Sequence, residues 1–389
     1  MQVQVGCFRL TQAMSLKILV ASSDSCMAEF VKELHFEPRA VLEGDSAIVN
    51  ASRNAWKRPF NFLVHSVKAQ RTHKSVVEAI RRLKSVSSVR ICFTSMGDPT
   101  RAILRKTLPL IHSTLQCYAE NLTLLAITVP LVEVPNLLPP FLIFPRLRTL
   151  SLFLYRRLKA PHDSVGNILA TSVLPFISSH TQTLETLRIV EYTGFDFTPL
   201  FKGMRRMPNL KTLHFSLTEQ TEGYHIRDFI RRHSDVLRDI KILTLDFTAS
   251  GLTNSFDSIA RLLSEIQTPV PGLQRLDIWF GDHPGSLSNP EPFSQLAFSS
   301  KNLATLKLIH QQLDFATISS LLLSDTNRFQ RLRTLVIEVS DFYPMVLDIL
   351  AELANLHNLK LQARWFQTNG RNFAVGVNDH ERHRQASVS

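Results

Sequence analysis

The stretch LRTLSLFL, from Leu147 to Leu154, returns along most of the chain in altered form, and no other feature restricts the possible folds as much. Its spacing is LxxLxL. Leu150, Leu152 and Leu154 alternate at period two and therefore share one face of a short strand. One such strand cannot cover its own apolar face. Copies laid side by side can, each closing its neighbour's edge, and a run of them builds one continuous core along a quasi-one-dimensional array. The sequence thus predicts a solenoid rather than a globule.

The first apolar residue of each copy is followed through Val86, Leu122, Leu147, Leu184, Leu210, Ile240, Leu273, Leu303, Leu332 and Leu356. An earlier approximate copy ends MAEFVKELHFEP with Val31, Leu34 and Phe36 in place. The steps are uneven, shortest from Leu332 to Leu356 and longest from Leu147 to Leu184, which places insertions in loops rather than strands. Helical spacing fills the intervals: Thr72 to Lys84, a segment opened by Asp98 and Pro99 with Pro109 as a candidate kink, Val165 to His180, Pro199 to Met207, Ile226 to Leu237, Phe256 to Ile266, Phe293 to Phe298, Phe315 to Leu323 and Met345 to Leu353. Asp163, Asp314 and Asp341 are candidate caps. Phe60 to Val64 reads as a further strand. Alternation of strand and helix implies parallel strands. The expected class is α/β, an irregular solenoid with a parallel sheet on the concave side and helices on the convex side. Residues 1–26 form a lead-in with little periodicity, 27–366 the repeats, and 367–389 a flexible tail.

Composition narrows the class further. A chain of 389 residues exceeds the usual single globular core, which suits an elongated array. The four cysteines, Cys7, Cys26, Cys92 and Cys117, show neither a CxxC pair nor regular spacing. That pattern points to a reducing compartment, hence an intracellular protein, cytoplasmic or nuclear. The most apolar stretch, Leu122 to Pro145, carries Glu133 and five prolines, so it reads as a buried strand and a connector rather than a membrane span. The net charge of +11 is located on helices, at residues such as Arg81, Arg82, Arg105, Arg205, Arg206, Arg231 and Arg232. It suits either solubility or a polyanion such as nucleic acid.

The phrases VKELHF, LRTLSLFL, LETLRIV, LKTLHFSL, LQRLDIWF, LATLKLI, LRTLVIEV and LHNLKL, with irregular helical spacers, resemble the leucine-rich-repeat-like region of F-box proteins expanded in mushroom-forming fungi. The resemblance covers about residues 27–366. It implies a protein-interaction role, that of the substrate-recognition region of an F-box subunit in a cullin ubiquitin ligase. The F-box itself, with its proline-leucine opening, is absent, so binding to the cullin adaptor is expected only if that module is supplied upstream.

No phosphate loop, dinucleotide fingerprint, HExxH or GxSxG occurs, and no catalytic, cofactor-binding or metal-ligating residues are expected. The close pair His380 and His383 lies in the tail. Between the core leucines run two columns of outward-facing residues, and from these the candidate partner-binding set is Phe153, Arg188, His214, Asp246, Asp277, Trp279 and Lys307. Trp279, with Asp246, Asp277 and Lys307 around it, is the favoured patch, because exposed aromatics anchor protein interfaces. The opposing expectation is that the loop from Gly281 to Pro292 folds over Trp279. Nucleic acid through the basic helices is the alternative function.

Overall fold

The computed structural model describes residues 7–10, 26–37, 77–93, 100–139, 142–155, 164–191, 196–218, 221–244, 265, 268–280, 301–313, 329–342, 345–351, 353, 355–368 and 371–374. The chain divides into two compact units, Met1–Leu210 and Lys211–Ser389.

In the first unit, β1 (Cys7–Leu10), β2 (Glu33–Phe36), β3 (Ser88–Cys92), β4 (Leu124–Pro130), β5 (Thr149–Tyr155) and β6 (Thr186–Glu191) pair in chain order, every pair parallel. The registers align Phe8, Leu34, Val89, Leu125, Leu150 and Leu187 in one row, and Leu10, Phe36, Ile91, Ile127, Leu152 and Ile189 in the next. From Leu34 and Phe36 onward every member of these rows is buried. β1 lies in the lead-in segment.

In the second unit, β7 (Thr212–Leu217), β8 (Asp239–Thr244), β9 (Arg275–Phe280), β10 (Thr305–Leu313), β11 (Thr334–Phe342) and β12 (Asn358–Thr368) repeat the arrangement, with Leu213, Ile240, Leu276, Leu306, Leu335 and Leu359 in one row. The row is buried up to Leu335, whereas Leu359 is 39% exposed on the last parallel strand. Strand pairing continues past Phe366: β12 runs to Thr368 and β13 (Arg371–Ala374) returns antiparallel against it. The structure is an α/β leucine-rich-repeat solenoid.

Two particulars differ from the sequence reading. Ile240 aligns with Leu213 and Leu276, not with Leu210 and Leu273, so Leu237 is the first apolar residue of that copy and Ile240 the second. Asp341 is not a helix cap, because it lies within β11 opposite Trp365.

The strands are joined by one repeated device. The carbonyl of Arg148, between the first and second leucines of its copy, accepts from the amides of both Glu185 and Thr186 in the next. The same double acceptance recurs at Lys32, Ser87, Thr123, Lys211, Arg238, Gln274, Ala304 and Arg333. Each LxxL therefore fastens to its neighbour before the strand begins. Just upstream, the amide of the first leucine closes a turn onto a residue three or four back, as in Leu147 to Phe144, Leu184 to His180, Leu210 to Met207, Leu273 to Val270 and Leu332 to Phe329. All five acceptor residues are buried. Three of the asparagines that precede this leucine donate a side-chain amide to the previous copy: Asn209 to the Gln182 carbonyl, Asn302 to that of Pro271, both at 2.7 Å, and Asn355 to that of Gln330.

Helices supply the second layer. Residues 77–82 are helical, and α1 (Thr100–Tyr118) passes through Pro109. Tyr118 is buried and donates its hydroxyl to the Ile80 carbonyl. A 3-10 turn, Leu131–Glu133, and α2 (Val134–Leu137) follow β4, so the apolar stretch here is strand and connector. Between β5 and β6, α3 (Ser164–Ile168) and α4 (Leu174–Ser179) flank a π-helical turn, Leu169–Val173. Pro175 explains that turn: it has no amide for the Thr171 carbonyl and its ring crowds it, so the backbone widens there. α5 (Thr198–Gly203), α6 (Gly223–Arg232) and α7 (Met345–Ala351) complete the helices placed near their expected positions. The expected strand at 60–64, the caps Asp98, Asp163 and Asp314, and the helices at 293–298 and 315–323 lie outside the described residues, as does 256–266 apart from residue 265, which is helical. Among the described residues no helix is long and apolar enough to cross a membrane.

Candidate functional site

The strand face opposite the leucines carries side chains that packing does not dictate, and on the second unit these form an ordered patch. Registers place His214, Lys241, Asp277, Lys307, Val336 and Lys360 side by side across β7 to β12, one strand spacing apart, about 4.8 Å. Two residues further along the strands, Ser216, Leu243, Trp279 and Ile309 form a parallel row. One step the other way stand Thr212, Asp239, Arg275 and Thr305.

Charges alternate in both directions. Asp277 sits between Lys241 and Lys307 along its row, and Arg275 sits beside Asp239. Arg275 also reaches two residues along its own strand to grip Asp277 with two nitrogens, Nη2 at 2.7 Å and Nε at 3.1 Å from the carboxylate. A forked contact of this kind fixes orientation as well as charge. The hydrogen bond from Arg275 to Asp277 raises the arginine's already high pKa, burial opposes this, and the charges of Asp277 and Asp239 add to it. Asp277 is 4% exposed. Its carboxylate therefore organises the surrounding cations, while Lys241 and Lys307 remain half-buried beside it.

Trp279 is half-buried, set between Leu243 and Ile309, and the Lys241 ammonium lies 5.7 Å from its ring centroid. An indole held by neighbours and capped by a cation is a rigid amphipathic contact surface. The loop from Gly281 to Pro292 lies outside the described residues.

Of the seven residues chosen from sequence, His214, Asp277, Trp279 and Lys307 share this face of the second unit. His214 is buried, next to Lys241. Asp246 lies outside the described residues, and the place beside Trp279 that spacing gave it is held by Leu243. Phe153 and Arg188 belong to the first unit, where the Arg188 guanidinium stacks 4.3 Å over the Phe153 ring. Sequence reasoning missed Lys241, Leu243, Asp239 and Arg275. A signal for the first three exists: FISSHTQTL, ending at Leu184, is echoed by FIRRHSDVL, ending at Leu237, which sets Leu237 as the first leucine of its copy.

The chemistry of these faces is that of contact. Cys92, on the strand face of the first unit, has its thiol pushed up by burial, the opposite of a reactive thiolate. Among the described residues no three His, Cys, Asp or Glu side chains are grouped to hold a metal. On the helices, Arg231 pairs with Asp228 at 3.3 Å, and Arg232 donates to the Asp228 carbonyl and lies over Phe229.

No protein-family model matches the chain, and no match was found among curated proteins. Among solved structures it is similar to the leucine-rich repeat-containing protein LegL7 from Legionella pneumophila, with TM-score 0.41 and 12% identity, covering 94% of this chain and 92% of that one. It is also similar to a structure of the Rad7 and Elc1 complex in yeast, with TM-score 0.38 and 9% identity over 81% of this chain and 79% of the other.

Proposed function

We propose that the chain is a non-enzymatic protein-interaction module, of the kind that forms the substrate-recognition region of an F-box subunit, and that the strand face of the second unit contacts the partner. The observation that carries this reading is the row Leu243, Trp279 and Ile309 beside the charged row Lys241, Asp277 and Lys307. An apolar strip centred on tryptophan and rimmed by oriented charge is the anatomy of a protein hot spot. The resemblance of the repeat phrases to fungal F-box proteins supports the finer assignment to ligase recognition.

Proximity labelling with wild type and Trp279→Ala, followed by binding measurements on the recovered partners, tests the face. Trp279→Ala should leave the melting transition in place and weaken a direct partner by more than about 1 kcal/mol. If the substitution lowers stability and leaves binding per folded molecule unchanged, Trp279 is a core residue and the face is elsewhere. A pull-down with the cullin adaptor, with and without an F-box fused upstream, tests the ligase connection separately.

A further inference from the structure

On the second unit, the turns that precede β8 to β12 enclose an open groove of about 640 Å³, along the edge where the strands begin. Arg238, Arg331 and Arg333 line it together with the side-chain amides of Gln274, Asn302 and Gln330, and no carboxylate occurs among the described lining residues. The groove is thus positive and rich in donors. Two of its arginines are held in place. Arg238 Nη1 donates to the carbonyls of Asp235 at 3.0 Å and Leu237 at 2.8 Å, and Gly272 leaves the room it needs, since a β-carbon there would collide with that nitrogen. Arg331 Nη1 donates to Asn302 Oδ1, and Asn302 is itself anchored on the Pro271 carbonyl. Guanidinium groups fixed before binding lose little freedom when they engage an anion.

The length of the groove selects its occupant. Arg238 immediately precedes β8 and Arg333 immediately precedes β11, three rungs apart, roughly 14 Å at about 4.8 Å per rung. That exceeds the reach of a single phosphate or carboxylate, but an extended chain covers it in about four residues at roughly 3.3 Å each. Guanidinium forks match carboxylates bidentately. The described lining residues include no aromatic ring on which a base could stack, which disfavours single-stranded nucleic acid. We propose that this groove binds an extended acidic segment of a partner polypeptide, with carboxylates about four residues apart meeting Arg238 at one end and Arg331 and Arg333 at the other.

The test uses the full chain and fluorescent ten-residue peptides of serine and glycine at low salt, with glutamate at the third and seventh positions, glutamine at both, or two adjacent glutamates. The spaced glutamate peptide should bind at least tenfold more tightly than the other two and weaken as salt rises. Arg333→Gln, at an exposed side chain, and Gly272→Ala, which displaces the Arg238 guanidinium, should each weaken it at least fivefold while circular dichroism melts stay unchanged. Trp279→Ala should have no effect, which separates this groove from the strand face. The proposal is overturned if the glutamine peptide binds equally, if both arginine-directed variants bind as wild type does, or if a ten-nucleotide single strand binds more tightly than the spaced peptide and loses affinity in the same variants.

Discussion

His180 is buried, and both nitrogens of its ring are hydrogen-bonded, the Ser179 hydroxyl also lying 2.9 Å from Nδ1. Nε2 accepts from the Phe144 amide at 3.0 Å, so Nδ1 carries the proton and donates to the Phe176 carbonyl at 2.8 Å. Burial lowers the imidazole pKa, and the hydrogen bond to Phe176 offsets part of that shift. The unfolded chain therefore takes up a proton below about pH 6.5 where the folded chain resists it. Stability from this site is fully present above that pH and is lost as pH falls towards the lower folded value. Urea midpoints at about pH 7.5 and about pH 5.5 should fall on acidification in wild type and fall less in His180→Gln. A second substitution probes the leucine rows. Leu213 has no exposed surface, so Leu213→Asp should destabilise its unit by more than about 4 kcal/mol, read as loss of the cooperative transition. The leucine rows were legible because period two names both their members and their face. The neighbours of Trp279 on β8 were not, because LRDIKILTL contains LxxLxL twice, from Leu237 and from Ile240. The two alternatives are three residues apart, an odd number, so choosing the wrong one exchanges the strand's two faces. Asp246 was thereby put where Leu243 stands, and Lys241 was turned inward.

At the scale of the element, the joints between copies hold the strands in register, and they could not be read from leucines alone. The asparagines before Leu210, Leu303 and Leu356 looked like ordinary loop residues, since their acceptors lie a whole copy upstream. Asn302→Ala should lower the stability of the second unit by about 1 kcal/mol, the net value of a typical hydrogen bond. In a double-mutant cycle with Arg331→Ala, the two losses should be less than additive, because Asn302 Oδ1 accepts from Arg331. Helices were legible wherever apolar spacing was strong. α1 persists through Pro109 despite the lost amide, and the irregularity instead appears at Leu169–Val173, upstream of Pro175. Spacing marks where a helix runs but not how a particular proline is accommodated. β13 escaped notice for a different reason, since four residues without a preceding LxxL spacing display no period, whereas β1 carries that spacing at Val5, Phe8 and Leu10 and was passed over as lead-in.

Over the molecule as a whole, stability in such an array is approximately a sum of intrinsic copy terms and nearest-neighbour terms. Within each unit, copies of the described residues meet through the same few atoms, the carbonyl and two amides of LxxL followed by the paired leucines, whatever lies between. Removal of one complete period, residues 274–303, would set Ala304 directly after Leu273 and present the joint at Arg238 with an equivalent pair of amides. The shortened protein should still show a cooperative melt with parallel-sheet circular dichroism, whereas removal of one residue more, 274–304, which slips the strand by one position and turns its leucines to the other face, should not. The double-accepting carbonyl also bears on heredity. Because these seams are chemically alike, an unequal crossover that adds or drops a whole copy between two of them leaves no broken joint behind. A gene for such a chain can change its number of rungs in one event, and selection then acts on the outward-facing rows without first having to repair the core.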